Sequence, residues 1–312
     1  MKRALTCLSL LVALAGCQGF GVSGLAPSGV PAPVSRAAPS APSAASIELS
    51  RYYESVQSRM LALGLMRQDG DRPDASLTAG RLATNFENIA LFNEYSLRGG
   101  RFVAERAPSR LRRWAEPVIL QPVFGASVSE AQVARDTAAL TQYAARLARV
   151  TRHPVQVAVS GPANYHVLFL NADEQRGAGP LLQQILPGVG SATIRSITGM
   201  PRSTFCGVYA FDDANRPNTY VAAIAVIKAE HPALMRLSCI HEEIAQGLGL
   251  ANDSPAARPS IFNDDDEFAL LTRHDEILLS MLYDPRLRPG MTPEQARPLV
   301  AQIAREKVSG SS

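Results

Sequence analysis

The sequence predicts an α+β domain: a mixed sheet of four or five strands, helices packed on it, and one key helix directly after the last strand. Three observations carry that prediction. Short apolar strands alternate with longer segments of three- and four-residue periodicity. Two strand segments flank a single polar loop, as in a hairpin. Helix starts are marked by a hydroxyl residue with an acid or amide three positions on, at Ser129 with Gln132, Thr272 with Asp275 and Thr292 with Gln295. With 312 residues, 46% hydrophobic and 19% charged, the chain is long enough to bury a sizeable core.

The N-terminus reads as an address. Lys2-Arg3 is followed by an apolar run from Ala4 to Leu14 and then by Leu14-Ala15-Gly16-Cys17. That run is too short for a spanning helix, which needs about 20 residues. The pattern resembles a bacterial lipoprotein signal: residues 1–16 would be removed and Cys17 lipidated as the new N-terminus. The resemblance implies a protein anchored on the periplasmic face of the cell envelope, and Gln18, where an aspartate would favour the inner membrane, points to the outer membrane. Loss of Lys2 and Arg3 brings 31 basic side chains down to 29 against 28 acidic ones. Such a near-neutral chain, without basic patches interleaved with aromatics, argues against a nucleic-acid partner. The one dense basic cluster in the sequence, Arg106, Arg110, Arg112 and Arg113, reads as a solvated loop and helix end, with anionic lipid or another envelope polymer as the alternative contact.

Residues 17–46 are rich in Pro, Ala, Ser and Gly and read as a flexible tether. Residues 47–76 form a helical extension with a helix over Leu49–Met66, and residues 77–290 form the main domain. Within it, the spacing of Leu82, Phe86, Ile89 and Asn93 predicts a helix over Leu77–Tyr95. Trp114–Phe124 reads as one strand whose prolines suggest an edge or bulge. A helix then runs from Ser129 to Val150, and Tyr165–Asn171 is a short buried strand. The glycines between Gly177 and Gly190 read as turns. Cys206–Phe211 and Tyr220–Ile227 make the hairpin around Asp212–Asn218, and Pro232 starts a helix to about Leu250. Two more helices begin at Thr272 and Thr292, the second opening a C-terminal segment over 291–312. Cys206 and Cys239 remain once Cys7 leaves with the signal and Cys17 carries lipid. In an oxidising compartment they predict a disulfide, worth about 3–4 kcal/mol in the chain-entropy model. Two separate buried thiols are the alternative.

The helix after Pro232 carries Cys239-Ile-His-Glu-Glu-Ile-Ala-Gln246-Gly-Leu-Gly249-Leu-Ala-Asn252-Asp253. At about 100° per residue, Leu237, His241, Ile244 and Leu248 share one stripe, while Met235, Cys239, Glu242, Gln246 and Gly249 share the next. Read from Glu242, the spacing is that of His-Glu-x-x-His-x-x-Gly-x-x-His, in which imidazoles hold zinc and the glutamate activates water. Gly249 falls where the chain must turn sharply.

That spacing, and the order strand, long helix, strands, motif helix, is similar to the metzincin metallopeptidases. The resemblance implies a zincin-like fold and assigns Glu243 the general-base position. It departs from the family at every ligand position, where Glu242, Gln246 and Asn252 stand in place of histidine. A second resemblance, carried by Asn85-Phe86 to Glu94, Arg113-Trp114-Ala-Glu-Pro117, Cys239–Asp253, Ser260–Asp264 and Leu271–Asp284, is to a bacterial lipoprotein family known as domain of unknown function 2927.

The candidate site is therefore Glu242 and Glu243 as carboxylates, with Gln246, Asn252, Asp253 and His241 as binding groups. Standard zinc chemistry needs imidazole or thiolate, whereas an oxygen set of Glu242, Gln246 and Asp253 suits a divalent cation such as Ca²⁺ or Mg²⁺, or no metal at all. His241 alone reads as a core histidine, and Asn263–Glu267 as a solvated acidic loop. The expected function is an envelope lipoprotein whose altered site binds a peptide or envelope polymer. The alternatives are a hydrolase using Glu243 as general base and a purely structural lipoprotein.

Overall fold

A computed structural model describes residues 19–22, 38, 40–70, 77–99, 101–158, 160–263 and 265–310. The signal segment 1–16, Cys17, most of the tether and Asp264 lie outside the described residues. Among the described residues no helix is long and apolar enough to cross a membrane.

The first strand, β1 (Gly19–Val22), falls in the segment read as tether. Helix α1 (Ala44–Ala62) starts earlier than predicted because Ser43 caps it, its Oγ accepting from the Ser46 amide at 3.2 Å. Helix α2 (Ala79–Ala90) is capped by Thr78 and buries Leu82, Phe86 and Ile89, the predicted face. It stops short of Tyr95, however. The chain turns instead into β2 (Phe92–Arg98), which pairs antiparallel with β3 (Arg101–Pro108). Gly99, at φ +55°, makes the turn between them, and a partner strand outweighs helical periodicity in residues 92–95.

The predicted strand Trp114–Phe124 splits into β4 (Arg113–Trp114) and β5 (Val118–Phe124). Pro122 sits opposite Val167 of the next buried strand, but the pairing on its other side extends only over Val118–Leu120. The missing N–H therefore faces a side where the ladder has already ended. Helix α3 (Glu130–Thr151) opens at Ser129 as expected. The short β6 (Val155–Val157) and the fully buried β7 (Tyr165–Leu170) follow. Around the glycines read as turns lie three short helices, α4 (Ala172–Arg176), α5 (Gly179–Ile185) and α6 (Ser191–Thr198): Gly177 ends α4, Gly179 begins α5 and Gly190 precedes α6. The hairpin is present as β8 (Cys206–Asp213) and β9 (Arg216–Lys228). Then come α7 (Ala233–Gly247), α8 (Arg273–Leu282) and α9 (Pro293–Ser309). Both Thr272–Asp275 and Thr292–Gln295 form reciprocal capping boxes.

The mixed sheet is larger than the four or five strands predicted. Among the described residues it has seven, in the order β1-β8-β9-β7-β5-β6 with β4 beside β9, and β8 runs antiparallel to β9. Side-chain alternation along the strands builds two cores. Tyr165, Val167, Phe169, Ala223, Ala225 and Ile227 face α3, α7 and α8, while Leu168, Leu170, Ile224 and Val226 face α5 and α6. Burial on both faces explains why β7 reads as an apolar run apart from His166.

Candidate functional site

Helix α7 lies against the sheet, and its sequence explains why it is held there. Cys239 is joined to Cys206 of β8 by a disulfide with a Cα–Cα distance of 5.9 Å, which ties the helix to the antiparallel strand. The Tyr165 hydroxyl on β7 donates to the Glu243 carbonyl at 2.7 Å, and the Tyr143 hydroxyl on α3 donates to the His241 carbonyl at 2.6 Å. The Trp114 indole donates to the Gly247 carbonyl at 2.8 Å. Three aromatic hydroxyl or N–H groups thus hold the backbone of one helix, each from a different element.

The side chains of the motif divide into separate groups. His241 is buried; its Nδ1 accepts from the Leu271 amide at 2.9 Å and its ring stacks on Tyr143 at 4.1 Å. Burial, reinforced by Arg146, pushes its pKa down to about 3, so the ring is neutral and fixed as an acceptor. Gln246 is buried and donates through Nε2 to the Asp253 carboxylate at 3.2 Å. Asn252 turns the other way: its side chain donates to the Asn88 carbonyl at 2.7 Å and its amide to Ile89 at 3.1 Å, both near the end of α2. The chain reverses between these groups at Gly249, whose φ of +127° is a glycine conformation and whose added Cβ would lie 2.3 Å from the Arg112 carbonyl oxygen.

Glu242 and Glu243 form the other group. Adjacent helix residues diverge, yet these two long side chains both bend toward β8. Their carboxylate oxygens and the Cys206 sulfur all lie within 4.8 Å of one another. Glu242 is partly exposed and Glu243 has no accessible surface. The structure thus brings Gln246 to Asp253 and Glu242 to Glu243, and ties Asn252 and His241 to other elements.

The donor chemistry of these groups does not fit a zinc centre. The sulfur beside Glu242 and Glu243 is half of a disulfide and offers no thiolate. The His231 imidazole has its Nδ1 3.9 Å from the Cys239 sulfur, but its ring is packed edge-on against Tyr53 at 4.4 Å. In the acidic loop, Asp265 and Glu267 pair with Arg258 and Glu267 with Arg67, all at the surface.

Sequence reasoning missed an open cleft at the C-terminal end of α7. It has a volume of about 640 Å³, and Arg113, Trp114, Arg152, His153, Tyr283 and Lys307 contribute to its walls. It connects to α7 through Trp114 and through the Tyr283 hydroxyl, which donates to the Leu248 carbonyl at 3.0 Å. The Arg113 guanidinium donates to the Leu282 carbonyl at 2.6 Å, and burial lowers its pKa. Arg113 was in the basic cluster noted from sequence; the other cations come from segments far from it in the chain, so no local pattern announced them.

The family model described as "Protein of unknown function (DUF2927)" matches residues 79–302. No curated protein and no solved structure matches the chain.

Proposed function

We propose, for a chain that belongs to the DUF2927 family of unknown function, a lipid-anchored envelope protein whose metallopeptidase-like helix is structural and whose domain binds a peptide or envelope polymer without turning it over. Cys17 would carry the lipid, on the periplasmic face of the outer membrane. One observation carries the reading: the groups at the zinc-ligand spacing are amides and a carboxylate, and the two amides are spent on internal hydrogen bonds, Gln246 to Asp253 and Asn252 to Asn88. The order strand, long helix, strands, motif helix supports kinship with the metzincins.

A second reading, hydrolysis with Glu243 as general base, draws on the convergence of Glu242 and Glu243 near Cys206. Against it, Glu243 is wholly buried, so water or a scissile bond reaches its carboxylate only if α7 moves.

The anchor has a direct test. In cells fed a fatty-acid analogue, the wild-type chain should be labelled and Cys17→Ser should not. Equal labelling of the two would remove the lipid anchor from the account. The full chain is the appropriate material, because a chain begun at Ser46 cuts through α1 and lacks β1.

A further inference from the structure

The geometry points to the cleft beside Tyr283 as a binding site for a phosphate-bearing ligand. This rests on the reading that the domain binds an envelope molecule and narrows it to a chemistry and a place. The 640 Å³ cleft continues into a second hollow of about 350 Å³, the two sharing Val150, Arg152, Ser280 and Lys307. Together they form an elongated trough along the end of α3, one side of α8 and the last turns of α9. Five cations line it, Arg113, Arg149, Arg152, Arg273 and Lys307, against two carboxylates, Glu276 and Asp284. The whole chain carries a formal charge of only +3, so this trough holds a concentration of positive charge that the rest of the surface offsets.

The carboxylates offset only part of that field: Glu276 neutralises Arg273, while Asp284 is held by Arg286, which does not line the trough. Glu276 accepts from Arg146 at 2.9 Å and from Arg273 at 2.9 Å, and Asp284 accepts from Arg286 at 2.8 Å. Among the described residues, no ion pair joins Arg149 or Arg152. Arg152 is placed over the trough by an unusual backbone: it ends α3 in the left-handed conformation, at φ +56°. Guanidiniums are planar forks that match the oxygens of phosphate, and an elongated row of them, with Arg149 and Arg152 exposed, suits a ligand with more than one phosphate group or a phosphate on an extended body. The floor offers ring surface for that body. His153 packs on Tyr283 at 4.8 Å, and Arg113 lies over the same ring at 5.5 Å. Burial lowers the pKa of His153, which favours the neutral ring.

The ligand's phosphate could come from a soluble phosphorylated compound or from a phospholipid headgroup, and the test separates the two. The full chain, purified in neutral detergent, is titrated calorimetrically with inorganic tripolyphosphate and, separately, with micelles containing short-chain phosphatidylglycerol. Arg149→Glu/Arg152→Glu is compared with Arg51→Glu/Arg59→Glu, which makes the same charge change on exposed positions of α1. Exposed substitutions of this kind leave the fold intact. We expect the trough pair to weaken binding by about tenfold or more, as loss of two charge-assisted contacts implies, and the α1 pair to leave it within about twofold. Binding of tripolyphosphate identifies a soluble ligand; binding of the micelles alone, lost in the trough pair, identifies the headgroup. No binding of either probe, or equal weakening by both pairs, overturns the site. Lipid labelling through Cys17 is unaffected by any of these outcomes, so failure here leaves the anchored-protein reading standing.

Discussion

Gly249→Ala is expected to be one of the most destabilising single-atom-scale changes in this protein. The residue holds φ at +127°, and a Cβ there would meet the Arg112 carbonyl oxygen at 2.3 Å and Leu282 at 3.0 Å. Backbone strain and overpacking are each worth about 1–3 kcal/mol, so roughly 2–6 kcal/mol should be lost. Gly64→Ala is the control: it also has positive φ, +77°, but nothing lies within 4 Å of its would-be Cβ. It should show only the strain term. Denaturant unfolding of the three chains measures the difference directly. If Gly249→Ala stays within about 0.5 kcal/mol of wild type, the bend does not depend on glycine as argued. Such a loss bears on the site as well as the fold, since this bend returns Asp253 to Gln246 and Asn252 to the end of α2.

Mild acid should be at least as damaging. His166, His231 and His241 are buried, and desolvation holds each in the neutral form, His166 at a pKa of about 4, His241 at about 3 and His231 well below its ordinary value. The sign follows from linkage. In the unfolded chain these rings bind protons as pH falls through about 6.5, whereas in the native state they do not. Stability is therefore fully present above that pH and is lost as pH falls, until the native rings protonate in turn. Each ring should contribute on the order of 2 kcal/mol of loss at pH 5, about 6 kcal/mol for the three. Asp212 opposes this, since burial raises its pKa and its native carboxyl takes up a proton earlier than an unfolded one would; it is one group against three. Urea midpoints at pH 7 and pH 5 give the answer, and His231→Phe, which keeps a ring against Tyr53 and Phe205, should recover about a third of the loss. Equal midpoints at the two pH values would mean that the rings are not held neutral.

What was legible in the sequence was whatever local chemistry determines. The hydroxyls of Ser129, Thr272 and Thr292 mark three helix starts because each bonds an amide three residues on. The β8–β9 hairpin, the buried β7 and the Cys206–Cys239 bond follow from short apolar runs around a polar loop and from cysteine arithmetic. Gly249 as the turning point after the motif helix follows from spacing. The β2–β3 ribbon was not legible, because residues 92–95 continue the helical periodicity of α2 and only pairing with β3 decides their state. The short helices α5 and α6 are held by packing on the second sheet face rather than by long periodic patterns of their own, and α4 opens on an Asn171–Glu174 capping box. The trough was hidden for a related reason: its cations come from β4, the end of α3, the start of α8 and the last turns of α9. The candidate site divides in the same way. The spacing from Glu242 to Asn252 is written in the sequence, but Asn252 bonding to Asn88, and His241 accepting from Leu271, are set by how α2 and α8 pack around α7.

The claim on which most depends is that α7 is a structural helix with altered ligand positions and no working zinc centre. Elemental analysis of the full chain, purified under oxidising conditions after incubation with zinc and removal of the excess, addresses it in one step. Far less than one zinc per chain is expected, with no change in Glu242→Ala. One tightly held zinc per chain, lost in Glu242→Ala, would contradict it and restore the hydrolase reading.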